Sequence, residues 1–125
     1  MPPSRISALA LGADVVAVIV FTAIGRASHA EPFDIVGLAA TAAPFLVGLG
    51  AAWATPVVRA DPASLRAGGM ALAGAALLGL AIRFGFTGRL PFTFVMITIT
   101  SLGALLLGWR GLSQAVSRRA TDRVP

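Results

Sequence analysis

Four long apolar stretches, at about residues 6–25, 35–55, 67–86 and 91–109, alternate along this chain with short joints that are polar or broken by proline. Each stretch is close to the ~20 residues that an α-helix needs to cross about 30 Å of hydrocarbon. Stretches of that length are read as helices rather than strands, because an open sheet edge would leave its amides facing lipid. The β-branched stretch 92–100 is the most strand-like portion, yet the run that contains it has the length of a helix. The joint 26–34 holds Arg26, His29, Glu31, Pro32 and Asp34, the joint 56–66 holds Arg59, Asp61 and Pro62, and 87–90 is a tight turn. Joints this short make consecutive helices antiparallel neighbours. The expected architecture is therefore all-α: an integral membrane up-down-up-down four-helix bundle forming one domain over 1–125, with a polar tail at 111–125. The first stretch is read as a retained span, because it is longer than a usual signal-peptide core and carries an acid inside it.

Composition supports this reading. Hydrophobic residues make up 57% of the 125 and charged residues only 12%, against roughly 25% charged in a soluble domain. The mean hydropathy is +0.87. All ten basic residues are arginines, scattered between the apolar runs rather than grouped beside aromatics, which marks them as membrane-flank charges and not a nucleic-acid footprint. Seven of them (5, 59, 66, 110, 118, 119 and 123) fall on the side of both termini and three (26, 83 and 89) on the other. By the positive-inside rule both termini are expected in the cytoplasm, with the chain in the cell membrane as a multi-pass protein. Trp53, Trp109 and Arg110 fall at that cytoplasmic boundary, where they are expected to act as interfacial anchors.

Helix association in lipid depends on small residues that let backbones approach. Ala67, Ala71, Ala75 and Gly79 form one such stripe, Ala40, Pro44, Gly48 and Ala52 a second, and Thr100, Ala104 and Gly108 a third. The three stripes together favour a tight bundle, or an oligomer built on the same faces. A faint internal echo links Ile24, Arg26, Pro32, Phe33 and Trp53 with Ile82, Arg83, Pro91, Phe92 and Trp109, but the spacings differ between the halves, which favours coincidence over duplication.

One residue breaks the apolar pattern where it is most costly. Asp14 lies about eight residues into the first run, roughly 12 Å deep at 1.5 Å per residue. A carboxylate near the bilayer centre costs about 2.5–3.5 kcal/mol, so it is expected to be protonated, paired or facing a wet interior. Pro44 reaches a similar depth from the opposite direction and frees the carbonyl of Ala40. An intramembrane polar layer is therefore expected from Asp14, Thr41, Pro44, Thr100 and Ser101. If the acid is neutral, Asp14→Asn should be tolerated. Arg83 and Arg26 are the alternative partners, roughly 10 Å from the depth of Asp14. Arg26, His29, Glu31 and Arg83 form a second expected cluster at the outer mouth, in which His29 has the one side chain that titrates near neutrality when unperturbed.

The absence of cysteine excludes disulfides and thiolate chemistry. One histidine and five acids make a dedicated metal cage unexpected, and no cofactor is expected. No phosphate loop or nucleophile motif is present, so an enzyme is the least favoured class.

Asp14 followed by Phe21-Thr-Ala-Ile-Gly-Arg-Ala-Ser-His29, Ala43-Pro-Phe45, Gly48, Trp53, Arg83, Phe92-Thr-Phe-Val95 and Gly108-Trp-Arg110 resembles a bacterial and archaeal family of small integral membrane proteins, domain of unknown function number 3054. The likeness covers nearly the whole chain, and its most specific piece is Gly25-Arg-Ala-Ser-His29. It implies four membrane helices and no particular activity. Two functional expectations follow: a proton-coupled or small-solute transport or binding site around Asp14, or an accessory subunit in which Asp14 only holds helices together. Expected partners are the lipid bilayer and either further copies of this chain or a larger membrane protein.

Overall fold

A computed structural model describes residues 3–28 and 34–122. Its elements are α1 (Pro3–Ser28), α2 (Ile35–Trp53), a short α3 (Pro56–Ala60), α4 (Leu65–Ala73), a π turn (Gly74–Leu78), α5 (Gly79–Thr87) and α6 (Phe92–Asp122). Among the described residues all regular structure is helical, with no strand. The helix α4, the π turn and α5 run on as a single rod, so four helices are long and apolar enough to cross a membrane: Ser4–Ala27, Ile35–Trp53, Leu65–Thr87 and Phe92–Arg119. The strand-like stretch 92–100 is helical throughout.

The joints end helices by recognisable local chemistry. Ser64 caps α4 by accepting a hydrogen bond from the Ala67 amide at 3.0 Å. Gly88, at φ +68°, closes α5 in the left-handed conformation and returns its amide to the Phe84 carbonyl at 2.7 Å. Pro56 opens α3 at a position where its missing amide is no loss. One boundary differs from expectation. The polar tail does not begin as a separate segment at Gly111, because α6 continues to Asp122 without a break. Arg110 to Arg119 contains only one glycine and no proline, too little to stop a helix already nucleated by the span before it.

Neighbours in sequence are neighbours in space. The helix α1 packs on α2 and α6, α2 packs on the third rod, and α4 packs on α6, which closes a ring. The backbones of α2 and the third rod come closest at Gly48 and Gly74: a Cβ on Gly48 would strike the Gly74 carbonyl, and one on Gly74 would lie 2.6 Å from the Gly48 carbonyl. The π turn begins at that crossing, where wider local winding accommodates the contact. Two of the three small-residue stripes face inward, with Ala67, Ala71, Ala75 and Gly79 buried on one rod and Pro44, Gly48 and Ala52 on the other, where Ala40 of the same stripe is exposed. The third does not. Thr100, Ala104 and Gly108 are exposed, while Thr98, Leu102, Leu106 and Arg110 form the buried face of α6. Both sets repeat every four residues, so spacing cannot choose between them. Leu102 and Leu106 of the first set join the core, and the small set lies outside.

The core joins Val18 and Phe21 of α1, Phe45 and Leu49 of α2, Ala71, Ala75 and Leu80 of the third rod, and Leu102 and Leu106 of α6. Phe21 and Phe45 meet edge to face with centroids 5.3 Å apart. The end that carries both termini is called here the terminal end, and the opposite end the hairpin end. The helix α6 packs against α4 near the terminal end rather than against α5.

Candidate functional site

Asp14 is fully buried and so is Arg110, 96 positions along the chain. The two side chains meet through parallel bonds: Nη1 donates to Oδ1 at 2.7 Å and Nη2 to Oδ2 at 2.8 Å. Each carboxylate oxygen accepts one further bond, Oδ2 from the Trp53 indole at 2.9 Å and Oδ1 from the Trp109 indole at 2.9 Å. Four N–H donors converging on two oxygens suit a carboxylate, which only accepts. Two of the three remaining guanidinium donors are also used. Nε donates to the Pro62 carbonyl at 2.9 Å and Nη1 to the Leu106 carbonyl at 3.0 Å. The guanidinium carbon lies 4.4 Å from the centroid of the Trp109 ring, a cation–π distance. Gly68 leaves room for the arginine stem, since a Cβ there would meet its Cδ at 2.8 Å.

This cluster differs from the expected polar layer in its membership. Thr41, Pro44, Thr100 and Ser101 do not reach Asp14, and neither Arg26 nor Arg83 pairs with it. The reason is depth. A depth counted inward from Ile6 sets Asp14 level with Pro44, whereas its hydrogen bond reaches Trp53, nine residues or about 13.5 Å farther along α2. The start of α1 projects past the ion pair, so the first apolar run is not in register with the others. Arg110 is consequently buried rather than set at the surface, and Trp53 and Trp109, both half-buried, direct their indole N–H groups to the carboxylate. In an apolar setting an indole N–H and a guanidinium need acceptors, and the Asp14 carboxylate serves all three.

Two of the expected mouth residues, His29 and Glu31, lie outside the described residues. The other two, Arg26 and Arg83, converge on a cavity of about 330 Å³ in the hairpin half of the bundle. Its walls come from α1 (Phe21, Thr22, Ile24, Gly25), α2 (Thr41, Phe45) and α6 (Phe94, Ile97, Ser101, Ala104, Leu105). Arg26 donates to the Thr41 hydroxyl at 3.0 Å and lies 3.4 Å from the Asp34 carboxylate, an ion pair that ties α1 to the start of α2. Thr41 in turn donates to the Gly37 carbonyl at 2.9 Å. Arg83, half-buried, stacks over Phe94 with 4.8 Å to the centroid. Among the described residues no carboxylate pairs with it. Ser101 therefore belongs to the cavity, Thr41 to the cavity rim, Pro44 to the α2 core face and Thr100 to the exposed face of α6.

The Asp14–Arg110 pairing leaves no local mark in the sequence, because Arg110 stands just past the last apolar run, where a flanking surface charge is expected. Among the described residues no three His, Cys, Asp or Glu side chains come together as metal ligands.

The fold and these two polar features define a four-helix membrane protein with a buried ion pair near the terminal end and a cationic cavity in the hairpin half. The chain belongs to the family described as "Protein of unknown function (DUF3054)", whose model matches residues 11–113. That span takes in Asp14, Trp53, Arg83, Trp109 and Arg110. Comparison with curated proteins and with solved structures finds no match.

Proposed function

We propose that this is a non-catalytic, multi-pass protein of the cell membrane, with cytoplasmic termini, that holds a small anion in the cavity of its hairpin half. One observation carries the reading: Arg83 enters a cavity with mainly apolar walls, and no described carboxylate neutralises it. A cation in such surroundings gains more from a bound anion than it would in water. The cavity volume of about 330 Å³ lies in the range of small-molecule pockets, roughly 300–1,000 Å³. The expectation of a binding site thus moves from Asp14 to Arg83. A carboxylate that accepts four N–H donors has no vacant lone-pair direction for a transported proton, so Asp14 acts here as a structural lock.

The cysteine-free chain makes the test direct. Ser101→Cys places a thiol in the cavity wall, and its reaction with a sulfonate-bearing methanethiosulfonate should outpace reaction with a trimethylammonium-bearing one, on the order of tenfold after correction for intrinsic reactivity. Adding Arg83→Gln should abolish that preference. Equal rates, or a preference for the cationic reagent, would overturn the reading.

A second reading, an accessory subunit or a homo-oligomer, is favoured by the exposed Thr100, Ala104 and Gly108 face of α6. It predicts that cysteines at 100 and 108 cross-link between chains in native membranes. A ladder confined to the monomer would count against it.

A further inference from the structure

The anion-binding reading leaves open whether the anion arrives from water or from the bilayer. Three observations bear on the route. First, the cavity rim carries Ile24 of α1 with Ile97 and Ala104 of α6, all exposed on the flank of the bundle, with Ile24 60% and Ile97 50% accessible. On a helix that spans lipid, an exposed flank faces acyl chains. Second, the polarity of the cavity is graded along the membrane normal. Arg83 lies one helical turn before the end of α5 at Thr87, and its ring partner Phe94 is near the start of α6. The α6 wall then runs from Phe94 to Leu105, about 16 Å at 1.5 Å per residue, with Ser101 its one polar member. Third, the charged end is set at a depth where an arginine can reach the headgroup layer, so the apolar groove points toward the middle of the bilayer.

Resting on the anion-binding reading, we infer that the ligand is an amphiphile of the membrane itself: a lipid whose phosphate or carboxylate headgroup meets Arg83 while its chain enters sideways past Ile24, Ile97 and Ala104. A soluble solute would need no apolar groove and no lateral opening. A zwitterionic lipid would bring its own cation to the guanidinium and lose most of the attraction. The exposed terminal-end arginines, Arg5, Arg59, Arg66, Arg118 and Arg119, offer a general attraction for anionic lipid, so the test must separate them from the cavity.

The intact protein, purified in an uncharged maltoside detergent, can be titrated with dioleoyl phosphatidylglycerol, dioleoyl phosphatidylcholine and glycerol 3-phosphate while retained ligand is counted by native mass spectrometry. The inference predicts retention of the phosphatidylglycerol over the phosphatidylcholine, with affinity about tenfold lower or worse in Arg83→Gln, as for loss of a charge-assisted hydrogen bond. Arg118→Gln with Arg119→Gln should leave the preference intact. Ala104→Phe, on the exposed rim where it leaves the core untouched, should block the lipid while the melting temperature stays near wild type, so a loss of binding cannot be blamed on unfolding. Arg83-dependent binding of glycerol 3-phosphate without retention of the lipid would overturn this inference and leave the anion-binding reading standing. Lipid retention that ignores both Arg83→Gln and Ala104→Phe, or the absence of any Arg83-dependent ligand, would overturn both.

Discussion

At the residue scale the fold turns on how one carboxylate is satisfied. A lone aspartate among apolar residues signals a partner, and that much was legible at Asp14. Its partner was not. Arg110 sits where a chain leaves the membrane, a position that ordinarily marks a cytoplasmic charge, and only the axial offset of α1 brings the two together. The two tryptophans were hidden for the same reason, since an indole at the end of an apolar run has two plausible homes, the headgroup layer and a buried acceptor. Their role can be measured separately. Trp53→Phe and Trp109→Phe each keep the ring and remove one donor to the carboxylate, so each should lower stability in detergent by about 1–2 kcal/mol. Trp109→Phe should cost more, because it also weakens the stack with Arg110 at 4.4 Å. Thermal melts that rank the two in the opposite order would contradict that assignment. The expected tolerance of Asp14→Asn is reversed: an asparagine would leave the Arg110 charge buried without compensation, and the protein should be strongly destabilised.

At the element scale the helices were plain in the sequence and their facing was only partly so. Runs of about 20 apolar residues name a span because lipid forces backbone amides to bond within the helix. They do not say which side of it is wet, greasy or packed. The stripe from Ala67 to Gly79 faces inward as expected, whereas the equally spaced stripe on α6 faces out. What decides is the partner across the interface. Gly48 and Gly74 lie opposite one another, so that pair tolerates no side chain. Gly48→Ala should cost about 1–3 kcal/mol, since a backbone carbonyl cannot step aside. Gly108→Ala, on the exposed face with open space at its Cβ position, should leave the melting temperature within a degree or two or raise it slightly, as alanine is the better helix former. Comparable losses from the two changes would mean that α6 turns its small residues inward after all.

At the scale of the whole molecule, the ring of four rods is closed at one end and open along part of the other. Near the terminal end, Asp14 of α1, Trp53 of α2, the Pro62 carbonyl before α4, and Trp109 and Arg110 of α6 meet in one hydrogen-bonded cluster. In the hairpin half, α6 stands apart from α5, and the Arg83–Phe94 stack bridges them. The sequence already contained the arginines of this half, but a cavity is a property of how helices diverge, and no local pattern encodes divergence. The two features should respond independently. Arg83→Gln should leave the melting temperature nearly unchanged while altering thiol reactivity at residue 101, and disruption of the Asp14 cluster should do the reverse. The most direct measurement of the central claim, that the membrane acid is a lock between α1 and α6, is a double-mutant cycle on Asp14→Leu and Arg110→Leu followed by unfolding in mixed micelles. Each single change should cost about 3–5 kcal/mol because it strands a buried charge, and the double change should cost far less than their sum. Additive losses, or single changes without effect, would contradict the account.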